Sequence, residues 1–230
     1  MEMRNVKEWL KNSALTRPLY RMWRYALDYK IRRIRKNMRE KGVDTIFFLE
    51  NLLAQNYFYY MDMGTMLGIV RDGRLLGHDL DIDVAVYAES EEEKECVKNR
   101  LLGAGCKLKY TYYADNLGVV EHSFEINNLK FDVNYYFRNG KTDICYLMYC
   151  DPQKSYDDDE LDVVKLSITA VEKVKRIPFA GREVTVPENP EAYLAERYGE
   201  NWRIPDTNYI YWKGPSCEAT EYRGYKRKEI

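Results

Sequence analysis

The stretch Asp79-Leu80-Asp81-Ile82-Asp83-Val84 constrains this chain more than any other. Strict alternation of acid and aliphatic side chains is the two-residue period of a β-strand. It puts Asp79, Asp81 and Asp83 on one face, and Leu80, Ile82, Val84 and Val86 on the other. The aliphatic face requires a core. The acidic face sets like charges side by side, which folding tolerates readily when cations neutralise them or when one carboxyl takes up a proton. A solvated edge strand is the plain alternative. If a cation is bound, oxygen-only ligands suit Mg²⁺ or Mn²⁺.

A second run, Lys130-Phe131-Asp132-Val133-Asn134, has the same grammar: Phe131, Val133 and Tyr135 point one way and Asp132 the other. On its own Asp132 reads as a surface carboxylate. On a strand neighbouring the first, it would join Asp81 and Asp83 in a two-metal clamp of the kind that stabilises the attacking and leaving oxygens in phosphoryl chemistry. Upstream lies Gly64-Thr65-Met66-Leu67-Gly68, between an expected strand and an expected helix. Gly64 would let a phosphate approach the backbone, the first N–H groups of the helix and the Thr65 hydroxyl could bind it, and Arg71 would add a guanidinium. The bland reading of Gly64-Thr65 is a turn and an N-cap.

Composition narrows the class. Hydrophobic residues make up 45% of the 230, enough for a core, and the formal net charge of -1 does not indicate a nucleic-acid binder. The 5 cysteines include no Cys-x-x-Cys pair and there are only 2 histidines, so reduced thiols in a cytoplasmic protein are expected rather than a structural zinc site. No apolar run approaches the roughly 20 residues a spanning helix needs, and the N-terminus does not read as a secretory signal.

The order of predicted elements is that of an α/β (α+β) protein, a mixed sheet flanked by helices. Residues 1–42 read as a helical extension, with Trp23, Leu27, Ile31, Ile34 and Met38 at helical spacing and the other faces carrying basic residues from Arg21 to Arg39. That basic surface is either simply solvated or suited to anionic lipid headgroups or an anionic glycan carrier, giving peripheral contact with a membrane. A main domain is expected over 43–205: a helix at 44–56, a strand at 57–63, a helix at 66–71 and a strand at 79–87. There follow a helix opened by a Ser90/Glu93 capping box, strands at 108–113, 119–126, 130–137 and 142–148, and an acidic loop at 157–160. A hairpin turning at Ala180-Gly181 and a helix at 190–198 close the domain, while the tail at 206–230 stays unassigned.

Together these blocks resemble the LicD family, which includes the fukutin-related transferases of the nucleotidyltransferase superfamily. The carrying residues are GTMLGIVRDGRLLGHDLDIDVAV from Gly64 to Val86, Asp132 in KFDVN, and IPFAGREVTVPENPEAYLAERYGENW from Ile177 to Trp202. The resemblance implies a nucleotidyltransferase-like core. It also implies transfer of a phospho-alcohol, phosphocholine or a polyol phosphate, from a CDP-linked donor to a glycan or lipid-linked glycan acceptor with release of CMP; the alternatives are an NTP-dependent nucleotidyltransferase releasing pyrophosphate and an inactive relative that only binds. It puts Asp81, Asp83 and Asp132 on the metal and Gly64, Thr65 and Arg71 on the donor phosphates, with Asp79 as general base or a further ligand. This chain departs from many members in having Leu80 between the first two aspartates and His78 before them. Among its 21 tyrosines, a distal aromatic cluster of Tyr193, Tyr198, Trp202, Tyr209, Tyr211 and Trp212 tilts the expected alcohol toward choline, whose cation would be held by aromatic faces.

Overall fold

The computed structural model describes residues 16–157 and 159–229. The part of the expected helical extension before residue 16, and Asp158 of the acidic loop, lie outside them. Helix α1, Arg17–Leu53, is one continuous element where two helices were expected. No proline or glycine pair interrupts it, and Gly42 is buried and crowded by Met38 and Leu75, so the glycine admits close packing rather than a break. Only its second half enters the core, through Met38, Ile46, Phe47, Leu49 and Leu53.

A short strand β1, Tyr59–Met61, leads into helix α2, Met63–Asp72. Strand β2, Asp81–Tyr87, helix α3, Glu91–Gly103, and strands β3, Lys107–Ala114, and β4, Gly118–Ile126, follow. Then come β5, Leu129–Asn139, β6, Thr142–Tyr149, and β7, Glu160–Thr169. The hairpin β8, Val174–Phe179, and β9, Arg182–Pro187, precedes α4, Pro190–Tyr198, and the chain ends in β10, Cys217–Lys228. The Ser90–Glu93 capping box forms as expected, and the β4–β5 hairpin turns on Asn127 and Asn128, both at positive φ.

Eight strands form one mixed sheet in the order β1-β2-β5-β4-β3-β10-β7-β6. An extra β5–β6 pairing closes the strands from β5 round to β6 into a ring. The β2–β5 pair is parallel and the rest are antiparallel. The fold class is therefore the mixed α/β one expected. Two strands escaped the sequence reading: β7, and β10, which turns the unassigned tail into an interior strand between β3 and β7. Among the described residues no helix is long and apolar enough to cross a membrane.

Candidate active site

The parallel pairing of β2 with β5 sets the floor of the site. Its register puts Asp83 opposite Asp132 and Asp81 opposite Lys130, so all four side chains share a face. The other face, Ile82, Val84, Phe131 and Val133, is fully buried. That burial fixes the register, because a one-residue slip would turn the aliphatic row out and the acids in. On the far side of β5, β4 places Glu121 opposite Asn134 and Ser123 opposite Asp132.

Asp79 is not in the strand as expected. It lies before β2, in the segment that returns from α2, yet its carboxylate still reaches the cluster. A side chain at residue 64 would meet it: a Cβ built on Gly64 comes within 3.3 Å of Asp79 Oδ2. Gly64 is thus bare to admit this carboxylate, a reason the sequence did not disclose.

The start of α2 also differs. The helix begins at Met63, so Gly64 and Thr65 lie inside its first turn. Asp62 is the N-cap, accepting from the Met63 N–H at 2.7 Å, the Tyr193 hydroxyl at 2.6 Å and the Tyr136 hydroxyl at 2.8 Å. Met63 pays for this entry with a positive φ of 47°. Thr65 departs from the expected phosphate role: it is fully buried, and its hydroxyl accepts the Asp83 N–H at 2.9 Å. It positions β2. Arg71 lines the cavity and pairs with Asp72 through Nε at 2.8 Å and Nη2 at 3.0 Å.

Gly64, Arg71, Asp79 and the acidic floor of β2, β4 and β5 line a cavity of about 1190 Å³ whose opposite wall comes from α4 and the chain beyond it: Arg197, Tyr198, Trp202, Tyr209 and Tyr211. The expected aromatic cluster is only partly assembled there. Tyr193 is buried on Asp62, and Trp212 stacks on Tyr149 at 5.0 Å. Guanidinium groups already cover two of the rings, Arg197 over Tyr198 at 5.5 Å and Arg203 over Trp202 at 4.2 Å.

The electrostatics are those of crowded acid. Burial, with Asp81 beside it, pushes the Asp79 carboxyl up to about 7 against the pull of Arg71. Burial and then the charges of Asp81, Asp132 and Asp62 hold Asp83 well above the ordinary carboxylate range. Burial raises Asp132 too, with Lys130 opposing, and burial with the Asp132 charge lifts Glu121 to about 8. Among the described residues the one compensating cation on the floor is Lys130, whose Nζ lies 2.6 Å from Asp132 Oδ2 and 3.2 Å from Asp81 Oδ2. Burial works against its charge, but Asp132, Asp81 and Glu121 outweigh that and raise its proton affinity. Asp132 Oδ1 and Asp79 Oδ2 are buried without a hydrogen-bond partner, which is costly unless something arrives to satisfy them. As placed, no three His, Cys, Asp or Glu side chains among the described residues converge to enclose an ion; the Lys130 ammonium stands between two of the acids.

A family model described as LicD/FKTN/FKRP, nucleotidyltransferase domain, matches residues 56–189. That is more than half of the chain. The chain belongs to the LicD family. Membership brings a phosphotransferase-type activity in glycan modification. The match takes in α2, β2, β4 and β5, and hence every residue of the acidic floor; α4 and the aromatic wall lie beyond it. No curated protein matches the chain. In this LicD-family chain the sequence reading had missed Glu121, Lys130 and Asn134 as members of the site. Their signal was present: Lys130 and Asn134 stand two residues either side of Asp132, and Glu121 alternates with His122 and Phe124.

Proposed function

We propose that this chain transfers a phospho-alcohol from a CDP-linked donor to a hydroxyl of a glycan or lipid-linked glycan, releasing CMP. The observation that carries the reading is the facing pair Asp83 and Asp132 on parallel strands, at the floor of a cavity large enough for a nucleotide-linked donor. The donor atoms that Asp81, Asp83 and Asp132 offer are all carboxylate oxygens, and Asp132 Oδ1 is buried without a partner, a set that fits a hard divalent cation. Asp81, Asp83 and Asp132 would hold Mg²⁺ or Mn²⁺, which when bound supplies charge neutralisation at the donor phosphates.

The chain's own residues do the rest. Gly64, in the first turn of α2, gives the Asp79 carboxylate room beside the donor site, and Arg71 supplies a guanidinium to the donor phosphates from the same wall. Asp79 serves as general base: with its carboxyl lifted to about 7 it is poised to take the proton of the acceptor hydroxyl near neutral pH. The acceptor oxygen then forms its bond to the β-phosphorus as the bond to CMP breaks, and the proton ends on Asp79. Lys130, next to Asp81 and Asp132, holds the acids in place before donor arrives.

The transferred alcohol is better read as a polyol than as choline. A quaternary ammonium needs open aromatic faces, and here Arg197 and Arg203 occupy those of Tyr198 and Trp202 with like charge. Guanidinium groups and tyrosine hydroxyls instead suit the oxygens of a polyol. The test is to incubate the protein, Mg²⁺ and a glycan acceptor with CDP-glycerol, CDP-ribitol, CDP-choline and CTP in turn and identify products by mass spectrometry. CMP from the polyol donors ahead of CDP-choline supports the reading. Pyrophosphate from CTP, with no CMP from any CDP-alcohol, would assign the chain instead to nucleotidyl transfer.

A further inference from the structure

The first half of α1 stands away from the folded body. Every residue from Arg17 to Arg33 is exposed apart from half-buried Tyr20 and Ile31. Large apolar side chains are among them: Leu19 is 63% exposed, Met22 69% and Trp23 49%. A helix of this length is marginal in water without a surface to pack on. This one is continuous with the buried second half of α1, which sets its direction.

Its two sides differ in kind. At 3.6 residues per turn, Leu19, Met22, Trp23, Leu27, Ile31 and Ile34 gather on one side, and Arg17, Arg21, Arg24, Arg32 and Arg35 on the other. Between Arg17 and Lys36 there are eight Lys and Arg residues and a single acid, Asp28. Lys30 and Arg33 fall within the apolar side, where long stems let their charged ends reach outward. A cationic side flanking an apolar one that carries Trp and Leu is the composition of helices that lie in the plane of a membrane interface.

We infer that the Arg17–Ile34 portion of α1 docks on an anionic phospholipid surface, its apolar side entering the headgroup–acyl boundary and its arginines meeting lipid phosphates. Charge decides between occupants. A second copy of the helix would cover the apolar side only by bringing two strongly basic segments together, whereas an anionic bilayer satisfies both sides at once. Docking would hold the enzyme at the surface where a lipid-linked acceptor resides, but the inference does not depend on what the enzyme transfers.

The test is co-sedimentation of the full chain with vesicles of phosphatidylglycerol mixed with phosphatidylcholine, and with phosphatidylcholine alone. Binding is expected only to the anionic vesicles, weakening as salt rises. A variant with Arg17→Gln, Arg21→Gln, Arg24→Gln and Arg32→Gln removes four charges, each worth about fivefold, so its partition falls by about a hundredfold or more. Leu19→Ser with Trp23→Ser weakens binding as well. Neither variant touches the cavity, so circular dichroism of the body and nucleotide binding stay unchanged. No sedimentation with anionic vesicles at low salt, or equal partition of the arginine variant, overturns the inference. So does a dimer seen by ultracentrifugation without lipid that the Leu19→Ser/Trp23→Ser variant abolishes, because a second copy would then be the occupant.

Discussion

Asp83 and Asp132 face each other directly across the parallel pair β2–β5, and two residues earlier in each strand Asp81 faces Lys130. The Lys130 ammonium therefore touches two of the acids, Asp81 and Asp132, while Asp83 lies among Asp81, Asp132 and Asp62 and, among the described residues, no cation contacts it. Acids thus crowd a single lysine on this described part of the floor, and disturbing that balance has measurable consequences.

Replacing Asp83 with Asn should separate stability from activity. The substitution removes a carboxyl whose charged form burial and three neighbouring acids all oppose, so without added metal the protein should be at least as stable as the wild type. Turnover should fall by more than about a hundredfold, since even the outer partners of a metal site can matter that much. Thermal melts without metal, paired with a CMP assay, check both halves; a destabilised but active variant would contradict the expectation.

Stability should fall as pH rises through neutrality in the absence of divalent cations. Asp79 and Glu121 have folded-state values raised to about 7 and about 8 from ordinary values of 3.8 and 4.5. Raised acids bind more protons folded than unfolded, so their contribution is complete below the ordinary values and is lost as pH climbs through the folded ones. His122, depressed by burial to about 4 from 6.5, acts in the opposite sense, but only as pH falls below its ordinary value. Between about pH 6.5 and 8 the acids should dominate and the melting temperature should drop. Mg²⁺ should flatten that slope. A melting temperature that rises over the same interval without metal would contradict the assignment.

Lys130→Met should make the protein depend on a divalent cation for stability. It leaves Asp81 and Asp132 without their shared partner. With the lysine side chain 36% exposed, solvent screening limits the loss to about 1 kcal/mol. The same change removes the cation competing for those oxygens, so Mn²⁺ should bind more tightly and raise the melting temperature more than it does in the wild type. Calorimetric titration with Mn²⁺ reads this without any turnover; unchanged or weaker affinity would show that Lys130 does not compete for the site.

The acidic floor was legible because strand periodicity is a local signal. Asp81-Ile82-Asp83 and Phe131-Asp132-Val133 announce their faces through the residues between them, and the parallel pairing joins them as expected. What was not legible depended on distant partners. Thr65 reads as a phosphate ligand until β2 arrives beside it and engages its hydroxyl. Tyr193 reads as part of an aromatic wall until Asp62, far away in sequence, accepts a hydrogen bond from its hydroxyl. Strand β10 carries little apolar alternation because it pairs with β3 and β7 in a largely exposed stretch of sheet, so composition gave it no mark.

Phosphorus NMR of a reaction containing the protein, Mg²⁺, a glycan acceptor and CDP-glycerol tests the central claim most directly. The account predicts that the diphosphate signals of the donor decay while CMP and a new phosphodiester grow in together, and that the Asp132→Asn protein leaves the donor intact. A donor that stays intact in the presence of wild-type protein, or equal consumption by wild type and Asp132→Asn, would contradict it.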